Sequence, residues 1–89
     1  NPNNAVAYFN RGLAYSQMGM ANEALADFNR AIELRPDDAL AYYHRALTYG
    51  YLGQTNNAIA DLRKVIELAK DEELKNIATE YLKQMGATP

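Results

Sequence analysis

Apolar and small residues return along this chain at the three- and four-residue intervals of a helix, not at the two-residue interval of a strand. Tyr8, Gly12 and Tyr15 share one side of a first segment, and Ala24, Phe28 and Ala31 form the facing stripe of a second. Tyr42, Ala46 and Tyr49, then Ala58 and Leu62, repeat the arrangement further on. A last stripe, Leu74, Ile77, Tyr81 and Met85 with Leu82 beside it, closes the chain. Gly19 and Gly53 stand where the first helix of each pair must stop, a place where a left-handed backbone is useful. Thr55 is the expected cap of the fourth helix. The pattern predicts five helices in an all-α fold, arranged as two antiparallel hairpins and a final single helix.

Small residues fall where the two helices of a hairpin meet. Gly12 or Ala46 opposite Ala24 or Ala58 lets two backbones approach, and aromatic rings at either end fill the remaining volume. At 100° per residue, Val6, Phe9, Leu13 and Gln17 lie nearly opposite the Tyr8, Gly12, Tyr15 side of the first helix. A helix apolar on two opposed sides serves two contacts.

Shifted by 34 residues, the sequence overlies itself. Pro2 falls on Pro36, Ala5 on Ala39, Ala7 on Ala41, Tyr8 on Tyr42, Arg11 on Arg45, Leu13 on Leu47 and Tyr15 on Tyr49. Further on, Gly19 falls on Gly53, Ala24 on Ala58, Asp27 on Asp61, and the Ile-Glu-Leu of 32–34 on that of 66–68. The motif Tyr8-x2-Arg11-Gly12-x2-Tyr15, Ala24-x3-Phe28, Pro36 resembles the tetratricopeptide pattern W-x2-L-G-x2-Y, A-x3-F, P, whose period is 34 residues. Tyr8 stands for Trp and Arg11 for Leu. The second unit reads Tyr42-x2-Arg45-Ala46-x2-Tyr49 and Ala58-x3-Leu62, with Lys70 in the place of Pro. The resemblance covers residues 1 to about 70 and implies a right-handed α–α superhelix, a solenoid that works as a non-catalytic protein-interaction module.

Four segments follow from this pattern: repeats over 5–38 and 39–70, a capping helix over 71–86 and a tail over 87–89. Residues 1–4, "NPNN", translate onto "RPDD" at 35–38 and are expected to be the closing loop of a preceding repeat, so the chain is expected to be part of a longer array. The last helix begins at Asp71, Glu72 and Glu73, where the helix dipole favours acids, and Gly86 lies just past its end. Its Asn76, Glu80 and Lys83 replace the apolar residues at 42, 46 and 49, which leaves no face for a partner helix and marks it as a cap. Arg45 is expected to pair with Asp27 or Glu23 across the repeat junction. By translation, Arg11 would then find its partner only in an upstream unit.

The net charge of −2, with nine Lys and Arg spread among eleven acids, supplies no electrostatic footprint for nucleic acid. Without Cys there is no disulfide framework or thiolate site, and the compartment stays open with the cytoplasm slightly favoured. No run of apolar residues approaches the roughly 18 needed for membrane insertion. Catalysis is not expected: there is one His, and the acids at 37–38 and 71–73 sit at helix starts, where capping explains them. No cofactor and no metal site are expected, since His44 has no second ligand at metal-binding spacing. Whether His44 lines a groove or merely lies on the surface is left open by the sequence.

The resemblance implies that the second side of each first helix lines a concave groove. The candidate binding residues are Val6, Phe9, Asn10, Leu13 and Gln17 on the first helix, and Leu40, Tyr43, His44, Leu47 and Tyr51 on the third. Ile77 and Tyr81 continue them on the fifth. Translation strings them into ladders such as Asn10, His44, Ala78 and Leu13, Leu47, Tyr81. Family members that hold acidic C-terminal tails use a carboxylate clamp of Lys, Asn and Arg. Phe9, Leu13, His44, Leu74 and Ala78 occupy those places here, so that clamp is absent. The expected ligand is a peptide or partner helix with apolar anchors. The alternative is a structural role at the C-terminal end of a scaffold, with the apolar surfaces joining copies into a homo-oligomer.

Overall fold

The computed structural model describes residues 3–89, and its described residues form five helices and no strand: α1 Ala5–Gln17, α2 Ala21–Leu34, α3 Ala39–Tyr51, α4 Thr55–Leu68 and α5 Glu72–Gln84. The helix α1 pairs with α2 and α3 with α4 as hairpins; α2 packs on α3, and α4 on α5. The all-α solenoid of two hairpins and a capping helix is therefore the observed architecture.

Helix starts follow two different rules. Where a hairpin or the cap begins, an Asn or Asp side chain takes up a free backbone donor: Asn4 accepts from the Ala7 amide, Asp38 from that of Leu40 and Asp71 from that of Glu73. Within the hairpins no side chain caps α2 or α4, whose cap positions are Met20 and Gln54. Thr55 is thus the first residue of α4 and not its cap. Gly19 and Gly53 take φ of 76° and 77°, and the amides of Met20 and Gln54 donate back to the carbonyls of Tyr15 and Tyr49 at 2.9 and 2.8 Å. Gly86, at 78°, ends α5 in the same way, with the Ala87 amide on the Leu82 carbonyl. All three ends share the hydrogen bonding of the Schellman motif.

The core lies along the line where small and large residues interlock. Phe28, Leu62, Val65 and Leu82 are fully enclosed, each stabilising the fold by roughly 1.5–3 kcal/mol. Ala24, Ala41, Ala58 and Ala78 are sealed between helices. A side-chain carbon added at Gly12 would lie 2.7 Å from Cε1 of Phe28, so the glycine is what admits the ring. In the second hairpin Ala46 stands for Gly12 and the smaller Leu62 for Phe28, both buried. In α5 the buried residues are Ala78 and Leu82, while Ile77 is largely exposed. Leu82 beside the expected stripe is buried, and Leu74, Tyr81 and Met85 of the stripe pack against the core; the buried line differs from the one expected in that Ala78 is enclosed and Ile77 is not.

The arginines pair within their own repeats, which corrects the expectation of a cross-repeat ion pair. Arg11 donates from Nε and Nη2 to the two carboxylate oxygens of Asp27, and Arg45 does the same to Asp61, all at 2.8 Å. Arg11 therefore needs no partner from another unit. The junction between repeats is bridged by a neutral acceptor instead: Nη1 of Arg45 donates to Oδ1 of Asn29 at 3.0 Å. Each guanidinium also lies over two tyrosine rings, Tyr8 and Tyr15 in the first unit and Tyr42 and Tyr49 in the second, at 5.4–5.9 Å from the ring centres. Carboxylate hydrogen bonding, then charge, raises the pKa of Arg11 well above its ordinary value. For Arg45 the Asp61 hydrogen bond again leads, opposed by burial.

The loop between the repeats is held by Tyr42, whose hydroxyl donates to the Pro36 carbonyl at 3.0 Å. The corresponding contact of the opening segment would involve Pro2, and residues 1 and 2 lie outside those described.

Candidate functional site

The candidate binding residues separate into three environments. Val6, Leu40, Tyr51 and Ile77 are exposed large apolar residues, Tyr51 most of all at 75%. Asn10 and Gln17 are exposed and polar. Phe9, Leu13, Tyr43, His44, Leu47 and Tyr81 are half-buried, and Phe9, Tyr43 and Tyr81 pack against the core. The ladder through Asn10 and His44 ends at Ala78, which is fully buried and offers nothing to a ligand.

His44 is half-buried and packed among aromatic rings. Its ring stands edge-on to Phe9 at 5.4 Å and to Tyr43 at 5.2 Å, and stacks on Phe28 at 6.2 Å. These rings come from α1, α3 and α2 respectively, so His44 fills the junction between repeats. Burial lowers its pKa below the ordinary 6.5, against a smaller opposing pull from Asp38. The surface around it is therefore held by a neutral imidazole.

Two depressions adjoin the apolar residues. A notch of about 120 Å³ runs between Ser16, Gly19 and Ala21 of the first hairpin and Leu47, Thr48 and Tyr51 of α3. Thr48 turns its hydroxyl to the His44 carbonyl at 2.9 Å, leaving Leu47 and Tyr51 as the notch's apolar walls. A broader, open depression of about 600 Å³ lies along α5, lined by Glu73, Asn76, Ile77, Glu80, Tyr81 and Gln84. Tyr81 leans towards α3: a side-chain carbon placed at Gly50 would sit 3.6 Å from its hydroxyl and 3.8 Å from Cε of Met85.

Glu73, Asn76, Glu80, Gln84 and Gly50 were not among the residues expected to form the surface. The signal lies in the helix itself. Glu73, Glu80 and Gln84 fall on nearly one line of α5 at seven- and four-residue intervals, one row away from Ile77 and Tyr81. Among the described residues no cluster of His, Cys, Asp or Glu is placed to hold a metal ion, and no helix is long and apolar enough to cross a membrane.

Residues 5–38 and residues 39–72 each match a model of the family described as Tetratricopeptide repeat. A search of curated proteins returned no match. Contiguous matches over the two hairpins and into the start of α5 agree with the helix pairing, the glycine turns and the repeated Arg–Asp forks. The chain belongs to the tetratricopeptide repeat family, carrying two adjacent repeats of a fold that serves generally as a protein–protein interaction module.

Proposed function

We propose that the chain binds a peptide segment or partner helix along the side of α1, α3 and α5 turned away from α2 and α4, with apolar side chains as anchors. The observation that carries this reading is the exposure of Val6, Leu40, Tyr51 and Ile77 on three successive first helices, with half-buried Leu13 and Leu47 between them. Apolar residues that extend past what neighbouring helices cover mark a contact surface. The notch beside Leu47 and Tyr51 would receive one anchor. Asn10 and Gln17, polar and exposed, would set register through hydrogen bonds to the ligand backbone.

Panning a random-peptide display library against the immobilised protein tests this. Selected peptides should lose at least about tenfold in affinity to Leu47→Glu, since a buried, unpaired carboxylate is expensive at an anchor site. Tyr51→Ala should weaken binding with little change in melting temperature, because this residue is 75% exposed. Tyr43→Ala is a poor probe here, as Tyr43 packs on the core and against His44. Failure to select any peptide, or undiminished binding to Leu47→Glu, overturns the proposal.

A further inference from the structure

Carboxylates outnumber cations in the two depressions that adjoin this surface. We infer that the ligand is a cationic apolar segment, one that seats an apolar side chain on Ile77 and Tyr81 and brings Lys or Arg to Glu73 and Glu80; the inference rests on the binding surface proposed above. The depression along α5 has an apolar row, Ile77 and Tyr81, beside a polar row containing two carboxylates. Seven residues separate the carboxylates, two helical turns or about 10 Å along the axis. That spacing suits two basic side chains flanking one apolar anchor, about three residues apart in an extended ligand or seven in a helical one.

The cations of the lining helices do not neutralise this row. Arg11 and Arg45 are committed to Asp27 and Asp61, and Lys75 lies beside Glu72. Only Lys83 reaches the edge, 3.6 Å from Glu80, and both side chains of that pair are well exposed. An exposed pair of this kind contributes little, so an incoming cation displaces it at small cost. The depression at the starts of α3 and α5, beneath Leu40 and Leu74, has the same balance: it is bordered by Asp37, Asp38 and Asp71 against the single Lys70. On α3, burial lowers the pKa of His44 and so disfavours a positive charge there. A cationic ligand therefore meets five carboxylates along these two depressions against the single Lys70, and an acidic one would meet net repulsion.

The peptides selected on the wild type provide the test. They should be enriched in Lys and Arg beside apolar residues, and Glu73→Gln with Glu80→Gln should weaken them about three- to tenfold. Glu67→Gln, on α4, should leave affinity unchanged and so separates local contact from net charge. Affinity should also fall as salt is raised from about 50 to 500 mM. Peptides that bind and lose affinity to Leu47→Glu, yet show no basic enrichment or bind the double Gln variant equally, overturn this inference and leave the binding surface standing. Selection of no peptide overturns both. Circular dichroism melts of each variant confirm that the comparison is made between folded proteins.

Discussion

Asp61 receives both prongs of the Arg45 guanidinium, Nε on one oxygen and Nη2 on the other, each at 2.8 Å. The fork ties α3 to α4, and its third donor reaches Asn29 of α2, so one side chain fastens a hairpin and the junction to the hairpin before it. Arg11 makes the same fork to Asp27, but its side chain is 60% exposed against 19% for Arg45. Burial strengthens a satisfied charge pair and raises the cost of breaking it.

Arg45→Ala should therefore destabilise the protein by about 2–3 kcal/mol, leaving the buried Asp61 without its main partner. Arg11→Ala should cost less, since water replaces the exposed arginine more readily. Urea denaturation of the two variants decides the matter. Equal losses would show that neither burial nor the Asn29 bond contributes at the second site.

Phe28 and Gly12 form a matched pair that the second repeat solves differently, with Leu62 and Ala46. Gly12→Ala brings a carbon to 2.7 Å from the Phe28 ring. The gain in helix propensity, about 1 kcal/mol, is outweighed by overpacking of about 1–3 kcal/mol. Gly12→Ala should be destabilising alone, and Phe28→Leu should be destabilising through the cavity it leaves. Combined, they reproduce the second repeat and should cost clearly less than the sum. A double-mutant cycle measures the coupling, and simple additivity would refute the pairing.

Gly53 isolates a backbone effect. At φ 77° it occupies the left-handed region, and a side-chain carbon there would meet nothing within 4 Å. Gly53→Ala should cost about 1–2 kcal/mol from backbone conformation alone, and Gly53→Asn less, because Asn tolerates that region better. Thermal melts of the two variants beside the wild type test the ordering.

Most of the architecture was legible in the sequence because a tandem repeat states its pattern twice. Gly19 and Gly53 announced the turns, and the small residues Gly12, Ala46, Ala24 and Ala58 announced where helices meet. The arginine partners were misplaced because translation by one repeat permits a pair within a unit as readily as one across units. The recurrence of Asp27 at Asp61 held the answer: pairing within each unit satisfies both arginines and both aspartates, whereas cross-pairing strands one of each. The rotation of α5 was less accessible. Its buried side depends on how it sits against α4 and the end of α3, which sets Ala78 inward and Ile77 outward, and spacing alone does not fix that angle. For the candidate surface, the exposed apolar residues were visible in the ladders, but the carboxylate row of Glu73 and Glu80 had been assigned only to capping and to solvent.

His44 predicts a pH dependence of stability whose sign follows from its surroundings. Phe9 from α1, Phe28 from α2 and Tyr43 from α3 enclose the ring, and none carries charge; Asp38 is the one ionised group that acts on it. Burial lowers the folded-state pKa below the 6.5 of an unperturbed imidazole, which the unfolded chain retains. Above pH 6.5 both states are neutral at this site and its contribution is fully present. As pH falls below 6.5 the unfolded chain takes up the proton first, so stability declines until pH has passed below the lowered folded pKa. Carboxylate titration lies mostly beneath this window, and comparison with His44→Gln removes what remains of it. Urea midpoints measured from about pH 7.5 to pH 5 should fall more steeply for the wild type than for His44→Gln. Parallel slopes would mean that His44 is as readily protonated at the repeat junction as it is in water.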